Sequence, residues 1–399
     1  MSDTRGLLRR RYLLLGIWVA VLGGVVLHAS PGAGGDWQTF KEGAQLLFSG
    51  HTVTWQRGFV EVHGGGLHLY AEHPAIQIGP LALAYAEFAG LFGSATRYLT
   101  ALTGLALFLP CLALLESAAR RRAYLTEQRL QSATLVGGML LAYSWVQATV
   151  QWRHMDDLFV ATAIAVAIWA VAHERPWLLG VAVGLGVAAK PTALLLLPLL
   201  LAVKGRRRVS VLTGLTVIAV AWLPFVVAGN GALGAGVPQI PVEAGSGLAG
   251  LGLPVGAAAP SLLRLVQLGV GLALGAFLVV RGSPWCAPLA AFGVRFVLDP
   301  GVASYYPVCL LLACVAADLH ARRAWTAGLR TVVGWALLAL PYRLPGMHRW
   351  ITVATDHQQM MTVGGTAVLV LVAVGSGVRR RPVPDVRPAP HSQPVLQTS

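Results

Sequence analysis

The stretch that decides the fold runs from Tyr12 to Ala29 and reads YLLLGIWVAVLGGVVLHA. It carries no Asp, Glu, Lys or Arg, and as a helix it is about as long as the hydrocarbon core of a bilayer is thick. It is too long for the core of a signal peptide and has no convincing small-residue cleavage site, so we predict a retained membrane span. Arg5 and Arg9–Arg11 precede it, which predicts a cytoplasmic N-terminus.

The composition of the whole chain points to many such spans. The 399 residues are 56% hydrophobic and only 12% charged, with a mean hydropathy of +0.65, and a soluble chain of this size could not bury so much apolar surface. The net charge of +14 comes from short basic runs between apolar segments. That pattern is typical of cytoplasmic loops, so it excludes nucleic acid as the partner and predicts the plasma membrane as the location.

The basic runs also set the predicted topology. We place Arg120–Arg122, Lys204–Arg208, Arg322–Arg323 and Arg379–Arg381 in the cytoplasm. This requires the apolar segment 75–92 to lie in the membrane surface instead of crossing. It also requires the run 177–203 to form two short spans that are hinged at Lys190-Pro191, with Lys190 on the external side. Short helices of this kind are tolerated where they are buried among others and face a cavity.

The predicted fold class is therefore all-α, a polytopic bundle of about twelve spans with an external interfacial helix segment after the first span. Residues 1–381 are predicted to form one domain, with its functional face outside and both termini cytoplasmic. The proline-rich residues 382–399 are predicted to be a disordered cytoplasmic tail.

Asp36 is the first acid after the first span. It opens the amphipathic segment that contains Trp37, Phe40, Ala44 and Leu47, and it has two interpretations: an acid that caps a helix, or a cap that also does chemistry. In the predicted topology other ionisable and polar side chains collect on the same external side, which indicates a cavity at membrane level. They include Glu42, His73, Arg153, His154, Asp156, Asp157, Lys190, Arg295, Asp299, Tyr305 and His348.

Several of these residues also have structural interpretations. Asp156 and Asp157 suit the start of a helix, where acids meet the positive end of its dipole. Lys190 could extend along an apolar surface toward water. Arg295 and Asp299 are four apart and could form a helical pair, and Tyr305-Tyr306 could belong to an interfacial aromatic belt.

The order of these features resembles the GT-C superfamily of integral-membrane glycosyltransferases over about residues 12 to 210. The matching features are the acid-led segment Asp36-Trp37-x-x-Phe40, the His73-Pro74 segment, the Asp156-Asp157 pair, and Gly180–Gly186 leading into Lys190-Pro191-Thr192. The chain is most similar to the actinobacterial branch that uses polyprenyl-phosphomannose. The remainder of the chain resembles the superfamily only in being polytopic.

The resemblance implies inverting transfer of a sugar, most simply mannose, from a polyprenyl-phosphate donor to a lipid- or glycan-linked acceptor. It makes Asp36 the general base that deprotonates the acceptor hydroxyl. The donor phosphate needs cations, for which Lys190, Arg153 and Arg295 are candidates. The candidates for binding the acceptor or the rest of the substrate are Glu42, His73, His154, Asp156, Asp157, Tyr305 and His348. A lipid monophosphate leaving group needs no metal, so neither a metal nor a cofactor is expected.

Two other function classes remain open at this point. A transporter or lipid flippase is also polytopic with broken helices and internal charges, although no second half repeats Asp36 or the Lys190-Pro191 hinge. An arabinofuranosyl- or glucosyltransferase of the same superfamily would use the corresponding lipid phosphate.

Overall fold

The computed structural model describes residues 3–29, 35–54, 60–74, 76–229, 241–243, 246–260, 262–301, 306–321, 328–336 and 355–378. Within them the chain is all-α apart from one hairpin, β1 (His51–Thr54) and β2 (Val60–His63). The α-helices are α1 (Asp3–Ala29), α2 (Gly35–Ser49), α3 (Leu69–Glu72), α4 (Pro80–Gly90), α5 (Thr96–Arg122), α6 (Glu127–Val146), α7 (Met155–Ala172), α8 (Pro176–Ala189), α9 (Arg207–Ala228), α10 (Gly247–Gly250), α11 (Leu263–Val280), α12 (Ala287–Val297), α13 (Pro307–Leu319), α14 (Leu329–Gly334) and α15 (Thr355–Val378).

Six of the described segments are helical, long and apolar enough to cross a membrane, and the chain is therefore a membrane-embedded protein. They are Arg10–Ala29, Gly93–Arg122, Glu127–Gln151, Met155–Ala172, Arg207–Ala228 and Leu263–Val280. The predicted count of twelve spans is not confirmed. Of the shorter apolar segments that this count includes, 284–298 contains a 3₁₀ turn and the 11-residue α12, and part of 325–340 lies outside the described residues. The predicted tail 382–399 lies outside them too.

The helix break predicted at Lys190-Pro191 is confirmed. α8 ends at Ala189, Lys190 is extended (φ −152°, ψ 124°), and a 3₁₀ segment follows over Pro191–Leu201. Pro191 has no N–H to continue the helix, and it pushes the residue before it out of the helical region.

The 3₁₀ segment carries the chain back along the bundle. α8 and α9 run parallel, since Gly180 lies against Gly214, and Trp222 Nε1 donates a hydrogen bond to Val187 O (3.2 Å). When two consecutive helices run in the same direction, the connection between them must return from one end of the bundle to the other. The segment after Lys190 makes that return.

Segment 75–92, predicted to lie in the membrane surface, contains only the 11-residue helix α4. Such a helix is about 16 Å long and cannot cross a core of about 30 Å. Just before it, Gly79 N donates to Ala189 O (2.9 Å), so this segment sits directly on the helix break. Gly79 is required by this close approach, because a Cβ there would lie 2.3 Å from Ala188 O.

The N-terminal end of α1 and the C-terminal end of α5 lie at the same end of the bundle. Glu116 is fully buried and accepts hydrogen bonds from Arg11 (2.6 Å), Tyr12 (2.5 Å) and Arg120. Chain direction therefore reverses once between α1 and α5, as the predicted topology requires. We call this end of the bundle, which carries Arg11, Glu116 and Arg120, the basic end.

The opposite end of the bundle carries His154 and Lys190, and we call it the site end. α5 and α7 run parallel, since Gly104 lies against Thr149 in the turn that precedes α7, and Cys111, further along α5, lies against Thr162 within α7. The start of α7 is therefore at the site end and its last turn is at the basic end.

Gly79, which packs the segment before α4 against the helix break at Lys190, gives a direct test of this packing. We expect Gly79→Ala to lower stability by about 1–3 kcal/mol, because the new methyl group forces two backbone segments apart. Gly90→Ala, whose Cβ meets no atom within 4 Å, is the matched control and should be neutral or slightly stabilising. Melting temperatures of the purified proteins in detergent measure both. Equal melting temperatures for the two variants would contradict the contact.

Candidate functional site

The backbone between α6 and α7 is irregular where it presents the central histidine. α6 continues into a π-helical turn, Gln147–Gln151, and Arg153 has a left-handed φ of 57°. His154 N then donates to Ala148 O (2.8 Å) before α7 begins. π-helical turns and left-handed non-glycine residues are both enriched at functional sites.

Asp36 comes to the same place on the first turn of α2. Trp37 and Phe40 of this helix are buried, and the Phe40 ring meets the His154 ring edge to face at 5.4 Å. The amphipathic pattern of α2 thus anchors its apolar face in the bundle. Asp36 stays 41% exposed at the edge of that contact.

A cluster of five ionisable side chains forms where α2, α7 and the break after α8 meet. His154 Nε2 lies 3.0 Å from Asp36 Oδ2, and His154 Nδ1 lies 3.1 Å from Asp156 Oδ1. Lys190 Nζ lies 2.9 Å from Asp156 Oδ2 and 2.7 Å from Asp157 Oδ2. All except Asp36 are buried. Asp36 is therefore the member of the cluster that is accessible to solvent or to a ligand. The other four side chains lie behind it and support it.

The surroundings of His154 favour its charged form. Burial alone would lower the pKa of His154, but the negative charge of Asp156 and hydrogen bonds to Asp156, Asp157 and Asp36 outweigh it and raise the pKa to about 10. The ring is thus an imidazolium near neutral pH, and both of its N–H groups donate to carboxylates. This arrangement fixes the orientation of Asp36.

The carboxylates of this cluster are also the candidate metal ligands. Ligand atoms of His154, Asp156 and Asp157 lie within 4.8 Å of one another, which is close enough to hold one ion. Lys190 Nζ already lies within hydrogen-bond distance of both carboxylates. Its ammonium group supplies the positive charge that a metal ion would otherwise bring.

A second group of charges follows at the same end. Arg295 Nη2 and Arg264 Nη1 each lie 3.5 Å from Asp299 Oδ2, so two guanidinium groups share one carboxylate. Arg295 lies within electrostatic range of Lys190, and its guanidinium lies 5.4 Å from the Tyr306 ring centroid. The buried Nε of Arg295 has no hydrogen-bond acceptor among the described residues.

The structure brings together most, but not all, of the predicted site residues. Joined by contacts or close charges are Asp36, His154, Asp156, Asp157, Lys190 and Arg295. Arg153 is adjacent to His154 in the chain, and burial together with the positive charge of nearby Arg97 lowers its pKa. The predicted pairing of Arg295 with Asp299 is present, although Asp299 lies two residues beyond the end of α12.

Four other predicted residues are not among those that the structure joins to the cluster. Glu42 accepts a hydrogen bond from Gln38 one turn earlier in α2 (3.2 Å). His73 follows α3, and its buried Nε2 has no hydrogen-bond partner among the described residues. Tyr305 and His348 lie outside the described residues, so their roles remain predictions.

Sequence reasoning missed Arg264. It is the only charged residue in α11, and an isolated charge in an apolar helix is a signal that could have identified it. Its partner Asp299 is 35 residues away, a pairing that no spacing rule predicts.

No family model, curated protein or solved structure matches the chain. The resemblance to membrane glycosyltransferases therefore rests on its residues alone.

The charge on His154 predicts a pH-dependent stability. A pKa raised from its usual 6.5 to about 10 contributes stability that is fully present below pH 6.5 and lost as the pH rises through 10. We expect the difference in melting temperature between wild type and His154→Gln to be largest near pH 6 and to shrink toward pH 10. His173→Gln, at the other end of α7, is the control and should show no such trend. A difference that does not change with pH would mean that the ring is neutral.

Proposed function

We propose that the protein is an integral-membrane glycosyltransferase. It transfers a sugar, most simply mannose, from a polyprenyl-phosphate donor to a lipid- or glycan-linked acceptor, with inversion at the anomeric carbon. The observation that carries the proposal is the half-exposed carboxylate of Asp36, held at 3.0 Å by a buried histidine. A merely structural acid at the start of a helix does not need such a partner.

Asp36 acts as the general base. His154 binds Oδ2, which leaves Oδ1 for the hydroxyl group of the acceptor. As that oxygen attacks the anomeric carbon, its proton passes to Asp36, and the bond from the carbon to the phosphate oxygen breaks with its electron pair on the phosphate. Asp156 and Asp157 do not bind substrate directly in this scheme. They orient His154 and Lys190, which contact them.

The two groups of charges match the two ends of the breaking bond. The Asp36 cluster has three carboxylates against two cations, Lys190 and His154, and this excess of negative charge suits the positive charge that develops on the sugar. The neighbouring group has Arg264 and Arg295 against one carboxylate, and this excess of positive charge suits a phosphate.

The phosphate therefore binds Arg295 and Arg264 in preference to Lys190. The ammonium of Lys190 is already shared by two carboxylates, whereas Arg295 keeps a buried N–H without an acceptor among the described residues. Guanidinium groups also offer the forked geometry that phosphate oxygens prefer.

The role of Asp36 is tested by Asp36→Asn. The amide keeps the size of the side chain but cannot accept the proton, so we expect transfer to slow by roughly 10²–10⁴-fold. Membranes from cells that produce each variant are incubated with radiolabelled polyprenyl-phosphomannose, and the labelled lipids are extracted and separated. The matched control is Glu174→Gln, an exposed acid-to-amide change beyond the far end of α7.

Melting temperature and donor binding of the purified Asp36→Asn protein should stay near wild type, which separates lost chemistry from lost structure. If transfer by this variant stays within a few-fold of wild type, Asp36 is not the base. Absence of transfer by the wild type with every lipid-phosphate sugar tried would favour a transporter instead.

The site end is proposed to face the outside of the cell. The basic end carries Arg11, Arg120 and Arg207, and basic loops stay in the cytoplasm. Polyprenyl-phosphate sugars are then used on the extracytoplasmic face, with the N-terminus of the chain inside.

Cysteine labelling tests this orientation. In a cysteine-free variant, a cysteine at exposed His68, near the site end, should react with an impermeant thiol reagent on intact cells. A cysteine at exposed Gln128, in the first turn of α6, should react only after permeabilisation. The reverse pattern would place the cluster in the cytoplasm and overturn the proposed orientation.

A further inference from the structure

The hairpin formed by β1 and β2 has one buried face and one exposed face. Thr52 lies on the buried face, where its hydroxyl donates to Gln45 of α2 (2.6 Å). The opposite face carries His51, Glu61 and His63, and all three side chains are exposed. Three groups of metal-ligand type thus share one open surface outside the candidate active site.

The two histidines stand directly opposite each other across the strands. Gly64 N donates to Gly50 O (3.0 Å), so the neighbouring pair His51–His63 occupies the non-hydrogen-bonded position, where side chains approach most closely. Their ring centroids are 6.3 Å apart. Two imidazoles on one tetrahedral zinc ion have centroids roughly 5 Å apart, given Zn–N bonds of about 2.0–2.1 Å, so the two exposed rings would have to turn about 1 Å closer together to share an ion.

The hydrogen bond of His51 prepares it for a metal. Its Nδ1 lies 3.1 Å from Ser49 O, and only an N–H can donate to a carbonyl, so the lone pair is on Nε2. Metal-binding histidines characteristically donate their other N–H to a carbonyl or carboxylate in this way. The bond to Ser49 therefore sets the tautomer that a metal ion requires.

Glu61 supplies a third ligand on the same face. Its Oε1 lies 3.6 Å from His63 Nε2, close to the separation of two neighbouring ligand atoms around a tetrahedral ion. Glu61 is opposite Val53, two residue pairs along the ladder from His51–His63, and this next non-hydrogen-bonded pair lies on the same face.

We propose that His51 Nε2, His63 Nε2 and Glu61 Oε1 form a binding site for a zinc-class transition metal ion. The ion joins β1 to β2, with water in the remaining position. A two-stranded hairpin is marginally stable by itself, so a metal cross-link at this point holds the strands together. The imidazole and carboxylate ligands favour zinc over calcium or magnesium, which prefer oxygen ligands alone.

This site differs from the buried group of His154, Asp156 and Asp157. There Lys190 already contacts both carboxylates, and a metal would have to displace it from a closed position. On the hairpin the side chains of His63 and Glu61 are 72% and 57% exposed, so both have room to turn toward an ion.

Titration of the purified, tag-free protein in detergent with ZnCl₂ tests the proposal. We expect one zinc ion per chain, and His51→Ala and His63→Ala should each weaken its affinity roughly tenfold or more. Glu61→Gln should weaken it by a smaller factor. His68→Ala, an exposed histidine on the next segment, is the control and should leave the affinity unchanged. All four positions are exposed, so melting temperatures in the absence of zinc should match wild type.

A second variant distinguishes the two candidate metal sites. If His154→Gln abolishes zinc binding while His51→Ala and His63→Ala do not affect it, the ion occupies the buried cluster and the proposal is wrong. Binding that is unaffected by every histidine variant, or no binding below roughly millimolar zinc, overturns it as well. Because the readout is metal affinity, none of these outcomes depends on whether the protein transfers a sugar.

Discussion

The ion contacts of Lys190 are the constraint on which the site end depends. Asp156 and Asp157 are at most 3% exposed, and two uncompensated carboxylates in such a place would cost several kcal/mol each. The ammonium group of Lys190 compensates the charge of these carboxylates. The first turn of α7 and the residue that directly follows α8 must therefore meet. Removing Lys190 alone would leave charge stranded, at a cost of about 3–5 kcal/mol. The extended backbone at this residue, the proline after it and the glycine that packs beside it all serve to keep this one amine in place.

The basic end solves the same problem with different residues. Glu116 is fully buried and holds Arg11, Tyr12 and Arg120, which belong to α1 and α5. Apolar helices in lipid have little preference for one axial position over another, because contacts between aliphatic side chains are non-directional. A buried ion cluster at each end removes that freedom. The helices are therefore fixed lengthwise by a few charges and sideways by many small residues.

Part of this architecture could be predicted from the sequence, because it follows from local chemistry. The break at Lys190-Pro191, the amphipathic helix that begins at Asp36 and the short segment before Gly90 each follow from residues close together in the chain. The placement of Asp36, His154 and Lys190 at one end of the bundle followed from a rule that applies to the whole chain, namely that basic loops stay in the cytoplasm. What could not be predicted is which charges touch. Arg264 reaches Asp299 only because α11 packs beside α12, and the sequence contains no signal for that neighbour.

The 3₁₀ segment over Pro191–Leu201 has a consequence for length. An α-helix gains about 1.5 Å per residue, whereas a 3₁₀-helix gains about 2.0 Å. Its 11 residues therefore extend about 22 Å, where an α-helix would extend about 16 Å. Tighter winding gives the chain greater reach from the same number of residues. That extra reach lets a connection too short to be an ordinary membrane helix bring the chain back, so that α8 and α9 can lie side by side in the same direction.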